Sequence, residues 1–495
     1  MSTAQSQSIA ARVRSAVLWR SGSQVITQVV SWASTLIVLR LLTPGDYGLF
    51  ALAQVMLVLL NTMNGFGLAS ALIREEEVSE ERLRQTLGML VLLNGTLALL
   101  QFLTASLVAT YFDEPLVADL LRVQSLLYLA TPFIAVPHAM LSRELNFRGP
   151  AKVRLLAALA GAATALTCAT NNLGVWTLVF APFAIFYTEA VGLMIASKAP
   201  WRPLFRFRGA SHIATFGGIL TVTQFFWFIR NQSDIIIAGR ILDPHSLGVY
   251  TTALFLTSLL ATKFLPPVNE VAYAAYSRLQ HAAESSLIAT IRLVMLVALP
   301  AYAGVAVIAE PIVLVLLSNK WAEIIPLLPI FAVAMAMLTL QILFAPATDA
   351  HGAPKVTLLI SILGSIIMST AFLIGSFWGI KGLAWAWVAG TALLLCATIG
   401  ISKKPLGLDL CALIGAVAPP LVAALVMASV VESALWMAPL ESAWTRLIAG
   451  IIIGLVAYPA VLLAIAPDQL KEAICFIRHR DEGEDQAKET SMEAI

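Results

Sequence analysis

The chain has 495 residues, of which 59% are hydrophobic and only 12% charged, with a formal net charge of +2. An ordinary soluble domain carries about 25% charged residues, so these charges cannot cover a globular surface of this size, whereas lipid accepts apolar surface everywhere. A soluble enzyme is excluded, and no nucleic-acid partner is expected.

A helix needs about 20 apolar residues to cross roughly 30 Å of hydrocarbon. The N-terminus is polar through Ala10, with Arg12 and Arg14 ahead of a long apolar run. That run is too long for a cleavable signal and reads as a retained helix. Apolar stretches between polar breaks predict spans near 17–42, 46–72, 86–111, 120–142, 152–170 and 173–197. A second series follows near 213–241, 245–268, 288–317, 322–348, 355–378, 380–402, 408–431 and 443–466. The expected fold class is an all-α membrane protein of about fourteen helices. Cys168, Cys396, Cys411 and Cys475 are far apart with no C-x-x-C pair, and they read as small buried hydrophobes.

The charges test this count. With the N-terminus in the cytoplasm, the inner ends and loops collect 22 of the 31 Lys and Arg, and the outer ends six: Arg40, Arg122, Arg240, Lys320, Lys381 and Arg446. Arg143, Arg148, Lys152 and Arg154 fill one inner loop and read first as topology signals; Arg20, Arg230 and Lys263 fall within spans. Such a bias predicts that both termini lie on the cytoplasmic side of the membrane. The tail from Asp468 is polar and charged, and disorder is expected there.

Arg40-Leu41-Leu42-Thr43-Pro44, followed by Gly48-Leu49-Phe50, returns 200 residues later as Arg240-Ile241-Leu242-Asp243-Pro244 and Gly248-Val249-Tyr250. Thr43 and Asp243 are suited to cap the next helix, with proline at its first position, where the missing N–H costs nothing. Six spans separate the copies, which predicts two parallel six-helix lobes at 1–210 and 211–405. Two further helices over 406–466 and a cytoplasmic tail over 467–495 complete the expected organisation.

Polar groups inside the membrane need a reason, since a charge at the bilayer centre costs about 2.5–3.5 kcal/mol. Arg20, Gln24, Thr27, Gln28, Ser31 and Thr35 recur every three or four residues and form one helical stripe. The seventh span answers with Thr221, Gln224, Arg230, Asn231 and Asp234; Gln54, Asn61 and Lys263 add to the set. Arg20, Gln24, Gln28, Gln54, Asn61, Gln224, Arg230, Asn231 and Lys263 are the candidate substrate-binding residues of a polar, cationic lumen. Competing readings are local: Arg20 snorkelling to headgroups, and Arg230 neutralised by Asp234 one turn on. Glu189 is a lone intramembrane carboxylate, either an ion-coupling group or a packing residue; Asp234 shares that choice. No catalytic set, metal spacing, phosphate-binding glycine loop or cofactor motif emerges.

The order and spacing of several motifs carry a resemblance. Arg40-x-x-x-Pro44-x-x-x-Gly48, Gly65-Phe66-Gly67 with Ile73-Arg74, Arg143-Glu144-Leu145-x-Phe147, Tyr250 with Pro266-Pro267, and Lys320-Trp321 with Ile325-Pro326 resemble polysaccharide flippases of the Wzx type. The likeness covers roughly residues 12–405 and is strongest to the colanic acid exporter-like branch. That family shares a superfamily with multidrug extruders and lipid II flippases. The resemblance implies alternating access that moves an undecaprenyl-diphosphate-linked oligosaccharide outward for surface polysaccharide, without enzymatic activity. Membrane lipids, a polysaccharide polymerase and export machinery would be its partners. The rivals are a multidrug or cation antiporter, which wants lumenal carboxylates; a lipid II flippase; and a membrane polymerase or ligase, which wants a large outer loop.

Overall fold

The computed structural model describes residues 3–62, 79–144, 148–205, 211–278, 283–438, 441–467 and 469, and the side chains of 3–21, 211–225, 283 and 354 lie outside that description. Gly65-Phe66-Gly67, Ile73-Arg74, Leu145 and Phe147, and nearly all of the tail therefore fall outside the described residues, as do the side chains of Arg20 and Gln224. The described chain is helical, with no strand among the described residues. Among the described residues, eleven stretches are long and apolar enough to cross a membrane. One of them, Lys355–Leu406, holds two helices, and two more polar helices, Pro44–Asn61 and Ser211–Ile241, stand where further spans were predicted.

The chain divides into two compact units, Met1–Thr251 and Thr252–Ile495. The first contains α1 (Thr3–Leu41), α2 (Pro44–Asn61) and α3 (Glu80–Phe112). A broken span follows as α4 (Pro115–Ser125), α5 (Leu127–Ala130) and α6 (Pro132–Arg143). Then come α7 (Arg148–Thr170), α8 (Trp176–Ser197), α9 (Ser211–Ile241) and the first turns of α10 (Pro244–Arg278). Helices α7 and α8 form an antiparallel hairpin, α1 packs along α7, and α9 packs on α2.

Burial runs as lipid solvation demands. On α3, Leu99, Leu103 and Leu107 are 57%, 66% and 71% exposed, while Asn94 and Gln101 on the same helix are fully buried. In water that arrangement would be inverted. Gln101 finds partners: its amide donates to the Leu121 carbonyl at 2.9 Å and its Oε1 accepts from Tyr128 at 3.1 Å. Where the span breaks at Leu126, the Tyr187 hydroxyl donates to its carbonyl at 2.9 Å. Irregular backbone at membrane depth needs such donors.

The repeat is structural. Thr43 caps α2 with a reciprocal box to Asp46, Pro44 standing in its first turn. Asp243 caps α10 by accepting from the Ser246 amide at 3.1 Å. The two helix starts also meet. A methyl on Gly48 would collide with the Pro244 carbonyl and lie 3.0 Å from the Gly248 nitrogen. A methyl on Gly248 would collide with the Pro44 carbonyl and lie 3.0 Å from the Gly48 nitrogen. The contact is reciprocal, a local two-fold in which glycine is required for close backbone approach.

Burial alone would raise the Asp243 carboxyl, but hydrogen bonds from Ser246, then from the Asp243 and His245 backbone, outweigh it and hold the group below the usual carboxylate range. A depressed folded value means that its contribution is present above the unfolded pKa and is lost as pH falls through the folded one. Asp243→Ala is expected to cost about 1 kcal/mol at pH 7. Thermal unfolding in detergent should show the gap from wild type narrowing below about pH 4; a gap of constant size would refute the linkage.

The second unit holds the remainder of α10, then α11 (Ala283–Val307), α12 (Ala309–Leu316), α13 (Leu328–Ile342) and α14 (Phe344–Ala350). Next are α15 (Pro354–Gly375), α16 (Gly379–Leu406), α17 (Leu410–Met437) and α18 (Ala443–Ile465). Gly375 and Gly382 let α15 and α16 close into a hairpin, since a Cβ on either would strike the other's backbone. The last two helices are built into this unit: Leu413, Ala416 and Ala424 of α17 join Leu287, Ile291 and Met295 of α11 in one core. At the start of α18, Arg446 pairs with Glu310 of α12 at 3.0 Å.

Candidate functional site

Helices α1, α6 and α7 of the first unit enclose a polar cavity of about 160 Å³, room for about five water molecules. Ser23, Gln24, Thr27 and Gln28 line it from α1, His138 and Ser142 from α6, and Pro150, Ala151 and Arg154 from α7. The α1 residues arrive there because spacings of one, three and four put them on one side of a helix. Pro150 and Ala151 belong to the first turn of α7, whose amide end carries partial positive charge.

Among the described lining residues, Arg154 is the only fixed charge. Its Nη2 lies 3.1 Å from His138 Nε2. A guanidinium only donates, so this imidazole nitrogen accepts and the ring proton sits on Nδ1. Arg154 Nε lies 3.5 Å from Glu189 Oε1 on α8, with side chains 50% and 19% exposed respectively. That separation is longer than the roughly 2.8 Å of a strong charge-assisted bond. Thr27 Oγ1 is buried without a hydrogen-bond partner. The cavity thus offers a guanidinium, three hydroxyls and two amides, a donor-rich set suited to phosphate oxygens and sugar hydroxyls.

Glu189 is not the lone carboxylate that its sequence suggests; Arg154 pairs with it. Hairpin register explains the encounter. Val153 lies against Gly192 and Ile185 against Gly161, so positions 154 and 189 come level across the turn after Thr170. Arg154, taken from sequence as a loop charge, stands in the second turn of α7 together with Lys152 and Arg148 on the same helix.

The other predicted residues divide. Gln24 and Gln28 line the cavity. Gln54 is half-buried along α2 and Asn61 is exposed at its end. Arg230 is half-buried on α9, and Asn231 turns its amide to the Trp227 carbonyl at 2.8 Å. Asp234 is buried and accepts from the Tyr250 hydroxyl at 2.9 Å. Lys263 is exposed on α10 in the second unit. None of these last six residues lines the α1–α6–α7 cavity. His138 and Arg154 are functional candidates that residue type alone did not reveal.

Residues 37–326 match the family described as "Polysaccharide biosynthesis protein". The chain is 25% identical over 472 residues to the succinoglycan biosynthesis transport protein ExoT of Rhizobium meliloti (strain 1021), covering 93% of this chain and 95% of that one. It is 24% identical over 324 residues to the lipopolysaccharide biosynthesis protein WzxC of Escherichia coli (strain K12), covering 64% and 65% of the two. Among solved structures, the lipid II flippase MurJ in an inward closed conformation superimposes with a TM-score of 0.76 at 14% identity, over 92% of this chain and all of that one. An inward-facing multidrug resistance MATE transporter superimposes with a TM-score of 0.59 at 14% identity, over 79% of this chain and 98% of that one. At such identities these two likenesses establish the fold.

Proposed function

We propose, from the premise that this chain belongs to the polysaccharide biosynthesis protein family, that it is a flippase moving a diphosphate-linked oligosaccharide from the inner to the outer leaflet of a bacterial plasma membrane. The observation that carries this reading is the donor-rich cavity around Arg154 inside an otherwise lipid-solvated unit. A polyprenyl carrier keeps its tail in the bilayer while its sugars need a wet path. Its diphosphate, with about two negative charges, wants a guanidinium partner. Arg154 fills that role, with Ser23, Thr27, Ser142, Gln24 and Gln28 taking the remaining oxygens. Arg20, Gln54, Asn61, Gln224, Arg230, Asn231 and Lys263 remain proposed contacts for the sugars or phosphates along the route.

The distribution of 22 inner against six outer basic residues supports cytoplasmic termini, and with that orientation the cavity would face the inner leaflet, where precursor is made. Lobes over 1–210 and 211–405 would alternate access. Moving two negative charges out of a negative interior is favoured by about 5 kcal/mol per 100 mV, so the membrane potential itself supplies drive. A polymerase on the outer face would consume the product.

Deleting the gene in its host should abolish the surface polymer and accumulate lipid-linked oligosaccharide on the cytoplasmic leaflet, both restored by the wild-type chain. A normal surface polymer in the deletion, with no second copy present, would overturn the substrate class. Drug sensitivity in its place would move the antiporter reading forward.

A further inference from the structure

The Arg154 guanidinium shares its charge between two partners, Glu189 and His138. Glu189 is held at 3.5 Å and His138 at 3.1 Å, while half of the arginine side chain is exposed and the residue lines the cavity. An anion entering the cavity competes with Glu189 for the same positive charge. We infer that anion capture by Arg154 is coupled to proton uptake by Glu189: the guanidinium leaves the carboxylate for a phosphate, and the released carboxylate takes a proton. This rests on the proposed diphosphate site and adds an exchange to it.

The balance is simple. Before capture, Arg154 and Glu189 cancel each other's charge. Afterwards Arg154 faces a dianionic diphosphate, and Glu189 stands on α8 at 19% exposure without its counter-ion. A desolvated carboxylate without a partner favours its neutral acid form. One proton comes from cytoplasmic water onto a Glu189 oxygen, no covalent bond in the ligand changes, and the loaded cavity carries one negative charge instead of two. When the phosphate leaves, Arg154 returns and the proton is expelled on the side where release occurs. The carboxylate thereby carries a proton in the same direction as the anion.

The titratable groups around this exchange are few among the described side chains. From α7 there is Arg154 itself, and from α6 His138, whose accepting Nε2 is the competing proton acceptor. The α1 side presents Ser23, Gln24, Thr27 and Gln28, none of them charged. From α4, Arg122 is committed to Asp119 and to Ser106 Oγ. From α5, the Tyr128 hydroxyl is committed to the Leu57 carbonyl and to Gln101.

The test uses the full-length protein in detergent and a short-chain P1,P2-dialkyl diphosphate, which has no ionisation near neutrality. Titration calorimetry at pH 7 in two buffers of different ionisation enthalpy counts protons exchanged per anion bound. Wild type is expected to take up a proton, approaching about one per anion. Glu189→Gln should bind the probe with uptake near zero, and His138→Gln should retain uptake. Binding by wild type without uptake, or equal uptake by Glu189→Gln, overturns the exchange and leaves the diphosphate site standing. Uptake lost only in His138→Gln reassigns the proton and also overturns it. Absence of binding by folded wild type overturns the diphosphate site, and the exchange with it.

Discussion

Arg154→Ala is expected to abolish surface polymer at matched membrane levels and to weaken dialkyl diphosphate binding roughly 10- to 150-fold. That range follows from about 1.5–3 kcal/mol for a hydrogen bond to a charged group. Two causes would produce such a loss, and they separate cleanly. Removing the guanidinium takes away the phosphate clamp, and it also leaves Glu189 half-buried without the partner that stands 3.5 Å away. The Arg154→Ala/Glu189→Gln pair removes the second cause. Stability should recover in the double variant while export stays lost. Arg154→Lys keeps the charge but not the planar fork, so partial export is expected. Full export by Arg154→Ala would discard the cavity as the phosphate site.

The second large effect lies at the helix starts of the repeat. Gly48→Ala and Gly248→Ala each place a methyl group on a proline carbonyl of the opposing copy. Those atoms are backbone, so no rotamer change relieves the clash and the first turns of α2 and α10 must part. Overpacking of this kind costs about 1–3 kcal/mol and occasionally more, and here the obstacle is rigid. Either variant should lower the thermal unfolding midpoint in detergent and the yield of monodisperse protein. The double variant should cost less than the sum, since one separation relieves both clashes. Gly95→Ala is the control: nothing lies within 4 Å of its Cβ, and alanine in a helix gains about 0.5–1 kcal/mol over glycine. A Gly48→Ala protein as stable as Gly95→Ala would refute the close contact.

Much of the fold is legible because lipid leaves few options. Apolar length and proline-marked helix starts place most helix ends within a few residues, but α1 begins at Thr3 and α10 runs on to Arg278, beyond the predicted 17 and 268; the caps at Thr43 and Asp243 follow from residue type. The repeat is legible as well, but its physical cause is not. Sequence shows Pro and Gly recurring, whereas only the fold shows each glycine seated on the other copy's proline. Of the polar stripe on α1, Gln24 and Gln28 line a cavity. Arg154 escaped because a positive charge near a span's inner end has a cheaper explanation in topology. Its role depends on the α7–α8 register, which sets it level with Glu189. Counting outward from the turn after Thr170 in both directions would have matched the two. Asp234 illustrates the opposite limit: an arginine four residues earlier suggested a local pair, and the structure gives it the Tyr250 hydroxyl sixteen residues away.

The reciprocal seating of Gly48 and Gly248 has a consequence for how this chain can vary. In a dimer of identical halves, any codon change on the symmetry axis would strike both sides of the contact simultaneously. A tandem chain unlinks the two sides. Off the axis, the copies have used that freedom: Thr43 borrows Asp46 for its cap, while Asp243 caps with its own carboxylate and Ser246. On the axis, each glycine is still answerable to its counterpart, because the space either would need is filled by the other's main chain. Saturation mutagenesis should therefore find the two positions intolerant to the same degree, a matched pair in an otherwise diverged inheritance.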